Sequence, residues 1–265
     1  MNENNKKTSL TLNNICVNKF MIIYLDGCRI SVVCNGVRSN YIEGDLVFLH
    51  KGAKLSVSIE KNNDTMSPFY YFLVLDNKML TSVKNIIYES GCGININHGN
   101  DILSTKNKIT AIHTDKKMRA IFLKALQTQS NELKILKLSY IILTSGSRNE
   151  IMMALFRSNV TLFSDRIRHV IGDELHKCWR LSHIADHFNI SEITVRKRLE
   201  AENTTFHDII LNCRMNKSLE LISQGDIHIN KIARDVGFSS VSYFIKVFKE
   251  VYGITPKKLA SYLKY

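Results

Sequence analysis

The chain has 265 residues, which allows one large domain or two of ordinary size. Apolar residues make up 45% and charged residues 23%, proportions that exclude wholesale disorder and fibrous repeats. A net charge of +12 favours a polyanionic partner, either nucleic acid or an acidic membrane surface. No apolar run approaches the roughly 20 residues of a membrane-spanning helix, and the first residues resemble no signal peptide. We therefore expect a cytoplasmic protein with no membrane partner.

The first third of the chain is predicted to form β-strands. Met21–Leu25 and Ile30–Val33 flank Asp26-Gly27, a pattern typical of a β-hairpin. Leu55–Ile59 alternates apolar and polar residues, which predicts a half-buried strand. Several short strands at such spacing indicate a sandwich or a barrel. Residues 91–108 are rich in Gly and Asn and are predicted to be irregular.

Two helical stripes follow between residues 115 and 157. The apolar positions of the first and second stripes are Met118, Ile121, Phe122 and Ala125, then Leu133, Leu136 and Tyr140. Such stripes either cover a sheet or form a dimer interface. Covering the sheet is the favoured interpretation, and dimerisation remains the alternative.

The last hundred residues contain an internal repeat. The first copy is HIADHFNISEITVRKRLEAENTTFHDII at 183–210, and the second is KIARDVGFSSVSYFIKVFKEVYGITPKKLA at 231–260. Each copy predicts a helix-turn-helix, with Asn189 or Gly237 at a turn that needs left-handed backbone. A linking helix is predicted at about 206–222. Two matched copies in tandem indicate DNA binding much more strongly than one copy would.

A further helix is predicted before the repeat, capped by Ser164 and Asp165. We expect its inner face to consist of Ile167, Val170, Ile171 and Leu175. Residues 160–265 carry 16 Lys and Arg against 12 Asp and Glu, a smaller surplus than in the rest of the chain. The local run Arg196-Lys197-Arg198, rather than overall charge, therefore marks the DNA-binding half.

Helical geometry separates the inner and outer faces of the second helix in each copy. The predicted inner positions are Val195, Leu199, Phe244, Val247, Phe248 and Val251. The predicted outer positions, which can bond base edges or contact a thymine methyl, are Ile193, Thr194, Arg196, Lys197, Ser242, Tyr243, Ile245 and Lys246. Arg198 and Lys249 are better placed for phosphates.

Other chemistry finds little support in the sequence. The six cysteines form no C-x-x-C pair and are interpreted as buried hydrophobic residues. His183 and His187 share one helix face, but no third ligand type clusters near them. His50 is the only histidine of the predicted strand region, so a metal centre of the cupin-enzyme type is not expected. We predict no metal, no cofactor and no catalytic residue.

The second copy resembles the signature of the AraC/XylS family of transcription regulators. The matching residues are Gly237-Phe238, Tyr243-Phe244, Phe248-Lys249, Gly253 and Thr255-Pro256. The stretch FSDRIRHVI…W…IADHFNISEITVRKRLE is similar to the enteric virulence activators of the Rns/RegA/ToxT group. NNICVNKF and YIEGDLVFLHKGAKLSVSIE resemble the effector-binding domain of the same group, so the likeness spans the chain and is weaker before residue 160.

The resemblance implies an α+β protein with two domains. Residues 1–158 would form a cupin-like β-sandwich with covering or dimerisation helices, and 159–265 an all-α domain with two helix-turn-helix units. The DNA-reading positions carried over from the family are Ile193, Thr194, Arg196, Lys197, Ser240, Ser242, Tyr243 and Lys246. Members bind two adjacent major grooves about 34 Å apart and activate by contacting RNA polymerase. Many targets in the group are AT-rich fimbrial or virulence promoters.

The resemblance also places a small-effector site in the N-terminal domain, at Asn18 and Phe20. Fatty-acid-binding relatives hold a carboxylate with basic or imidazole side chains. The matching positions here carry Asn18, Met21 and Leu73, which argues against a fatty acid. Bicarbonate, which the group also uses, a different small effector or none remains open.

We therefore predict a sequence-specific activator of virulence or fimbrial-type genes, with promoter DNA and RNA polymerase as partners. A repressor or silencing antagonist is the first alternative. A second alternative is a DNA alkyl-transfer repair enzyme fused to an AraC-type domain, which would need an activated cysteine. Cys34 has no basic neighbour in sequence, and Cys178 adjoins Lys177 at a predicted helix end.

Overall fold

The computed structural model of the protein describes residues 9–62, 68–91, 108–172, 174–225 and 228–263. All but the two end residues of the predicted irregular segment 91–108 lie outside these ranges. The chain divides into two compact units, with the boundary between Val160 and Thr161. None of the described helices is both long and apolar enough to cross a membrane.

Eight strands of the first unit form two sheets. They are β1 (Ser9–Cys16), β2 (Phe20–Leu25), β3 (Cys28–Cys34), β4 (Val37–Tyr41), β5 (Asp45–Leu49), β6 (Lys54–Lys61), β7 (Tyr70–Leu75) and β8 (Ile109–His113). The strand orders are β1-β6-β3-β4 and β7-β2-β5-β8, and all neighbours are antiparallel. The two sheets confirm the predicted sandwich class.

The predicted hairpin at Asp26-Gly27 is wrong. Strands β2 and β3 lie in different sheets, because β2 pairs with β5 and β7 while β3 pairs with β4 and β6. The connection is a corner in which Asp26 N–H donates to Phe69 C=O and Gly27 C=O accepts from Asn62 N–H. Gly27 has a φ of +94° at this corner. Asp26-Gly27 does form a turn, but the tertiary pairing of the strands determines that it connects two sheets.

Four of the described helices pack on one face of the second sheet. They are α1 (Asn77–Glu89), α2 (Lys116–Gln127), α3 (Asn131–Thr144) and α4 (Arg148–Ser158). Asp76, Asp115 and Ser130 cap the first three, because each side chain accepts a backbone N–H of the first turn. Phe122 of α2 is completely buried in the same core cluster as Phe20 and Phe48 of the sheet. The first predicted stripe therefore does cover the sheet.

The second predicted stripe is wrong as a sheet-covering face. Leu133, Leu136 and Tyr140 of α3 are 50%, 55% and 36% exposed. The core face of α3 instead contains Leu138, Ile141 and Ile142, which are each 1% exposed. This helix is apolar on two sides, so periodicity alone is compatible with burial of either side. Packing against α1 and α2 determines which side is buried.

The second unit is helical throughout its described residues. Its helices are α5 (Phe163–Gly172), α6 (Leu181–Phe188), α7 (Glu192–Ala201), α8 (Phe206–Ser223), α9 (Ile229–Asp235), α10 (Val241–Tyr252) and α11 (Pro256–Leu263). The pairs α6–α7 and α9–α10 confirm the two predicted helix-turn-helix units. Helix α8 connects them over nearly the predicted span.

Helix α5 has a different cap from the one predicted. Ser164 is buried inside the helix rather than preceding it. The Glu202 carboxylate accepts the N–H groups of Phe163 and Ser164 at 2.6 and 3.0 Å. Asp165 accepts the N–H of Leu162, just before the helix. The main cap is thus supplied by a residue 38 or more positions away, which no local pattern reveals. The predicted inner residues Ile167 and Ile171 are completely buried.

Candidate nucleic-acid interface

The two turns of the repeat adopt the predicted left-handed backbone. Asn189 has a φ of +51° and Gly237 a φ of +85°. The helix after each turn begins at a capping serine. Ser191 Oγ accepts the Thr194 N–H at 3.2 Å, and Ser240 Oγ accepts the Tyr243 N–H at 3.3 Å. The repeat in sequence is therefore also a repeat in local hydrogen bonding.

Both recognition helices, α7 and α10, are fixed by their inner faces. Val195 and Leu199 are buried in one cluster with Ile184 and Ala185 of α6. In α10, the Phe248 ring packs edge-on against Phe244 and Tyr252, with centroid distances of 5.8 and 4.8 Å. The predicted inner residue Val251 is half-buried, and its neighbour Tyr252 is the fully buried side chain of the last turn.

The outer face of α7 carries the predicted first set of DNA-reading residues. Ile193 is 66% exposed. Arg196 and Lys197 are exposed beside it. Thr194 is half-buried, and its hydroxyl lies 2.9 Å from Ser191 Oγ. The face thus combines an apolar side chain with cationic donors, both of which can contact base edges in a major groove.

The outer face of α10 repeats this arrangement. Tyr243 is 56% exposed, and its ring lies 5.9 Å from the Phe238 ring. Ser242 and Lys246 are exposed on the same side of the helix. The predicted reading residue Ser240 is exposed too, but its hydroxyl oxygen already accepts the N-cap hydrogen bond. Its hydroxyl proton remains available to an acceptor on a base.

The two predicted phosphate-contacting residues are both exposed. The guanidinium of Arg198 lies 5.1 Å from the Phe163 ring centroid. Arg166 packs on the same surface, 4.7 Å from the Phe188 ring. Sequence reasoning missed Arg166, because its approach to Phe188 depends on the packing of α5 against α6 and α7. Lys249 is free of such ring contacts within the described ranges and lies in the last turn of α10.

Two acidic residues adjoin the reading cations and were also missed. Arg196 Nη2 lies 3.7 Å from Glu192 Oε2, and Lys246 Nζ lies 3.9 Å from Glu250 Oε1. Both pairs have i,i+4 spacing, a signal that was present in the sequence. All four side chains are at least 46% exposed, so these pairs contribute little to stability.

The predicted effector positions lie at the start of β2. Phe20 is 1% exposed and stacks on His50, with centroids 5.9 Å apart, while Asn18 is half-buried. Leu73 lies across from Ile22, on the same face as Phe20, whereas Met21 points to the opposite face. The structure thus brings Phe20 and Leu73 to one side of the sheet and separates Met21 from them.

His50 is a buried neutral group in this region. Its Nε2 is 3.1 Å from Thr110 Oγ1. Burial lowers the pKa of His50 to about 4, and the positive charges of Arg157 and Lys108 act in the same direction. No group of three or more metal-ligating side chains occurs within the described residues.

Comparisons with known proteins agree with this architecture. Residues 184–261 match the model of a helix-turn-helix domain family. The chain is 34% identical to the DNA-binding dual transcriptional regulator Rns of Escherichia coli, covering 98% of this chain and 97% of Rns. It is 31% identical to the virulence regulon transcriptional activator VirF of Shigella flexneri, over 94% of each chain. A crystal structure of ToxT from Vibrio cholerae has the same fold, with a TM-score of 0.69 at 18% identity over 97% of this chain and 96% of ToxT.

Proposed function

Because the chain belongs to the AraC-type family of helix-turn-helix transcription regulators, we propose that it activates virulence or fimbrial genes by binding AT-rich promoter DNA in two adjacent major grooves. The observation that carries this proposal is the duplicated recognition surface. Each copy has a serine-capped helix, a buried inner face and an outer face that exposes one large apolar side chain among cations. The same combination on both recognition helices, at the positions that helical geometry turns outward, is what supports a shared role in binding.

We assign each outer residue a role from its chemistry. Ile193 and Tyr243 contact thymine methyl groups, which suits AT-rich DNA. Arg196, Lys197 and Lys246 donate to acceptors on base edges, and the hydroxyls of Thr194, Ser240 and Ser242 bond bases or phosphates. Arg198 and Lys249 contact phosphates and set the register of the helices.

We propose that a small effector modulates activity through the first unit. The ToxT structure was solved with a bound butenoic acid derivative, a carboxylic acid. In this chain the positions matched to carboxylate binding carry Asn18, Met21 and Leu73, none of which is cationic. Bicarbonate and a fatty acid are both anions, so both are tested as effectors. Phe20 contributes to such a site through its stacking on His50.

The exposed stripe of α3 supports a homodimer as part of this function. Leu133, Leu136 and Tyr140 repeat with the i, i+3, i+7 spacing of a helix-helix seam. A second copy crossing antiparallel at Leu136 would set Glu132 of one chain near Tyr140 of the other. Lys117 lies 5.2 Å from the Tyr140 ring, so the pairing also matches opposite charges. A twofold-symmetric contact of this kind needs no other partner.

RNA polymerase is the remaining proposed partner, and the cytoplasm is the proposed location. A repressing role at some promoters is the second candidate function, because Rns is described as a dual regulator. Burial raises the pKa of Cys28 to about 12 and of Cys213 to about 11, so these two thiols are not the activated cysteine that alkyl transfer would need.

The proposal is tested by sequencing genomic DNA fragments that the purified protein retains at near-physiological salt, with and without bicarbonate. We expect a shared AT-rich motif with two half-sites one helical turn apart. A change in retention with bicarbonate would support modulation by a small effector, and a fatty acid is added in a parallel arm. Fragments without a common motif would overturn specific readout and leave only phosphate binding.

A matched control uses the double variant K197A/K246A. Both lysines are exposed and outside the core, so the variant should fold and still retain DNA nonspecifically. The DNA fragments that the variant retains should no longer share the AT-rich motif. A variant that retains the same motif would show that the outer faces of α7 and α10 do not read the sequence.

A further inference from the structure

The linking helix α8 is shared between the cores of the two helix-turn-helix units. Its first half packs on the first helix-turn-helix, since Ile209 is completely buried in that core and Cys213 packs against it. Three residues further on, Asn216 Oδ1 accepts the hydroxyl of Tyr252, a core residue of the second recognition helix. The change from one core to the other therefore occurs between Cys213 and Asn216, the stretch that contains Arg214.

Arg214 contacts both helix-turn-helix motifs from this position. Its Nη2 donates to the backbone carbonyl of Lys177 at 3.2 Å, in the segment that leads into the first helix-turn-helix. Its guanidinium also lies 5.7 Å from the Phe238 ring, in the turn of the second. One planar side chain thus connects the segment before the first helix-turn-helix to the turn of the second helix-turn-helix.

Gly237 closes the same junction. A Cβ at this position would clash with the Leu175 carbonyl oxygen and would lie 2.7 Å from Arg214 Nη2. The turn of the second helix-turn-helix is therefore in direct backbone contact with the segment before the first helix-turn-helix. Only a residue without a side chain permits this approach, independently of the positive φ of Gly237.

Arg214 occupies this place at an energetic cost. Its Nε is buried and has no hydrogen-bond partner among the described residues. Burial also lowers the pKa of the guanidinium. Arg214 is half-buried, and a cation with a buried, unpartnered Nε contributes less to stability than an apolar residue of similar volume would. Stability alone therefore gives a weak reason for an arginine here, and geometry gives a better one.

We propose that the Arg214–Gly237 junction is a positioning device that sets the distance and rotation between the two recognition helices, and hence the half-site spacing that the protein accepts. This inference rests on the two-groove proposal above. One inserted base pair moves a half-site by about 3.4 Å and turns it by about 34°. A rigid junction makes such an insertion costly, because the second helix then loses the high effective concentration that the first provides.

The test uses a promoter fragment obtained from the genomic selection, cut to one bipartite site. Three probes are made from it: the natural site, the site with one base pair inserted between half-sites, and a half-site beside unrelated sequence. Their dissociation constants are measured at fixed salt for the wild type, R214M and R214K. For the wild type we expect the insertion to weaken binding by about tenfold or more.

R214M should bind the half-site within about twofold of the wild type and the natural site about tenfold more weakly, while the insertion penalty falls to about threefold or less. R214K retains the charge without the planar fork and should resemble R214M rather than the wild type. An unchanged insertion penalty in both variants would overturn the inference. Wild-type protein that is indifferent to the insertion would instead overturn the two-groove proposal, and this inference with it.

Glycine variants supply an independent pair that separates strain from contact. G237A and G225A both place a side chain at positive φ, +85° and +92°, but only Gly237 has atoms within 4 Å of the added Cβ. G237A should therefore lose the spacing preference, and G225A should retain it. If both variants keep the wild-type preference, or both lose it, the contact at Gly237 does not set the spacing.

Discussion

The carboxylate of Glu202 accepts the backbone N–H of Phe163 across 2.6 Å, so the residue that ends the first recognition helix also caps the helix that begins the second unit. The second carboxylate oxygen accepts from Ser164 at 3.0 Å. The position of α7 is thereby fixed at its C-terminal end by α5, in addition to its buried face. Arg198 stacks on the same Phe163 ring from the adjacent turn.

Loss of the Glu202 cap should destabilise the second unit. For E202A we expect a loss of about 1–3 kcal/mol, because two N–H groups lose a charged acceptor. Chemical denaturation of the wild type and the variant measures this difference. E200A is the matched control, since Glu200 is exposed on the same helix. Equal stability of E202A and E200A would contradict the capping role.

Removal of a reading lysine should weaken specific binding without unfolding the protein. K197A and K246A should each cost about 1–3 kcal/mol of binding free energy, as expected for a lost base contact. Binding to the selected promoter fragment is measured at fixed salt, with thermal unfolding as the check on folding. K217A is the control, because Lys217 is an exposed lysine of the linking helix. Wild-type affinity in both reading variants would refute the assignment.

Deletion of the Phe248 ring, unlike removal of a reading lysine, should lower the stability of the fold. The side chain is completely buried between Phe244 and Tyr252, so F248A creates a cavity in the second helix-turn-helix and should cost about 3–5 kcal/mol of stability. Thermal and chemical unfolding measure the loss. Y243A removes an aromatic ring of similar size from the exposed face and should leave stability nearly unchanged. Similar losses for the two variants would show that the inner and outer faces are misassigned.

Acidification should destabilise the first unit through His50. Its folded pKa of about 4 lies below the ordinary value of 6.5, so the unfolded chain binds the proton more readily. The corresponding stability is present above pH 6.5 and is lost as the pH falls towards 4, up to about 3 kcal/mol. Denaturation midpoints of the wild type and H50Q across pH 4–7 measure the effect.

H50Q should have a shallower pH dependence than the wild type, because the titrating group is gone. H169Q, which removes an exposed histidine of α5, is the control for general loss of a histidine. Parallel pH curves for the wild type and H50Q would contradict a buried neutral His50.

A charged residue in the α3 stripe should abolish self-association. L136E places a carboxylate at the centre of the proposed twofold contact and should give a monomer, because two buried like charges would face each other. Sedimentation equilibrium measures the mass of the wild type and the variant. K134E adds the same acidic group on a neighbouring, half-buried position and serves as the control. A wild-type monomer, or an L136E dimer, would contradict the stripe as the interface.

Local chemistry accounts for the parts of the fold that the sequence predicted. The helix-turn-helix pairs follow from short-range features: an apolar i, i+3/i+4 pattern, a capping serine, and Asn189 or Gly237 where the backbone is left-handed. The exposed positions of both recognition helices follow from the 100° rotation per residue. These features depend on residues within one or two turns of each other, so one sequence contains all the necessary information.

Tertiary structure alone decided the long-range choices. Asp26-Gly27 marked a turn, but the pairing of β2 with β5 and β7 determined that the turn joins two sheets. Helix α3 offered two apolar faces, and its neighbours determined which one is exposed. The cap of α5 by Glu202 and the Arg214 junction join residues that are distant in sequence. Periodicity states which residues prefer burial, whereas their partners depend on the free energy of the whole packed unit, in which many weak contacts are satisfied together.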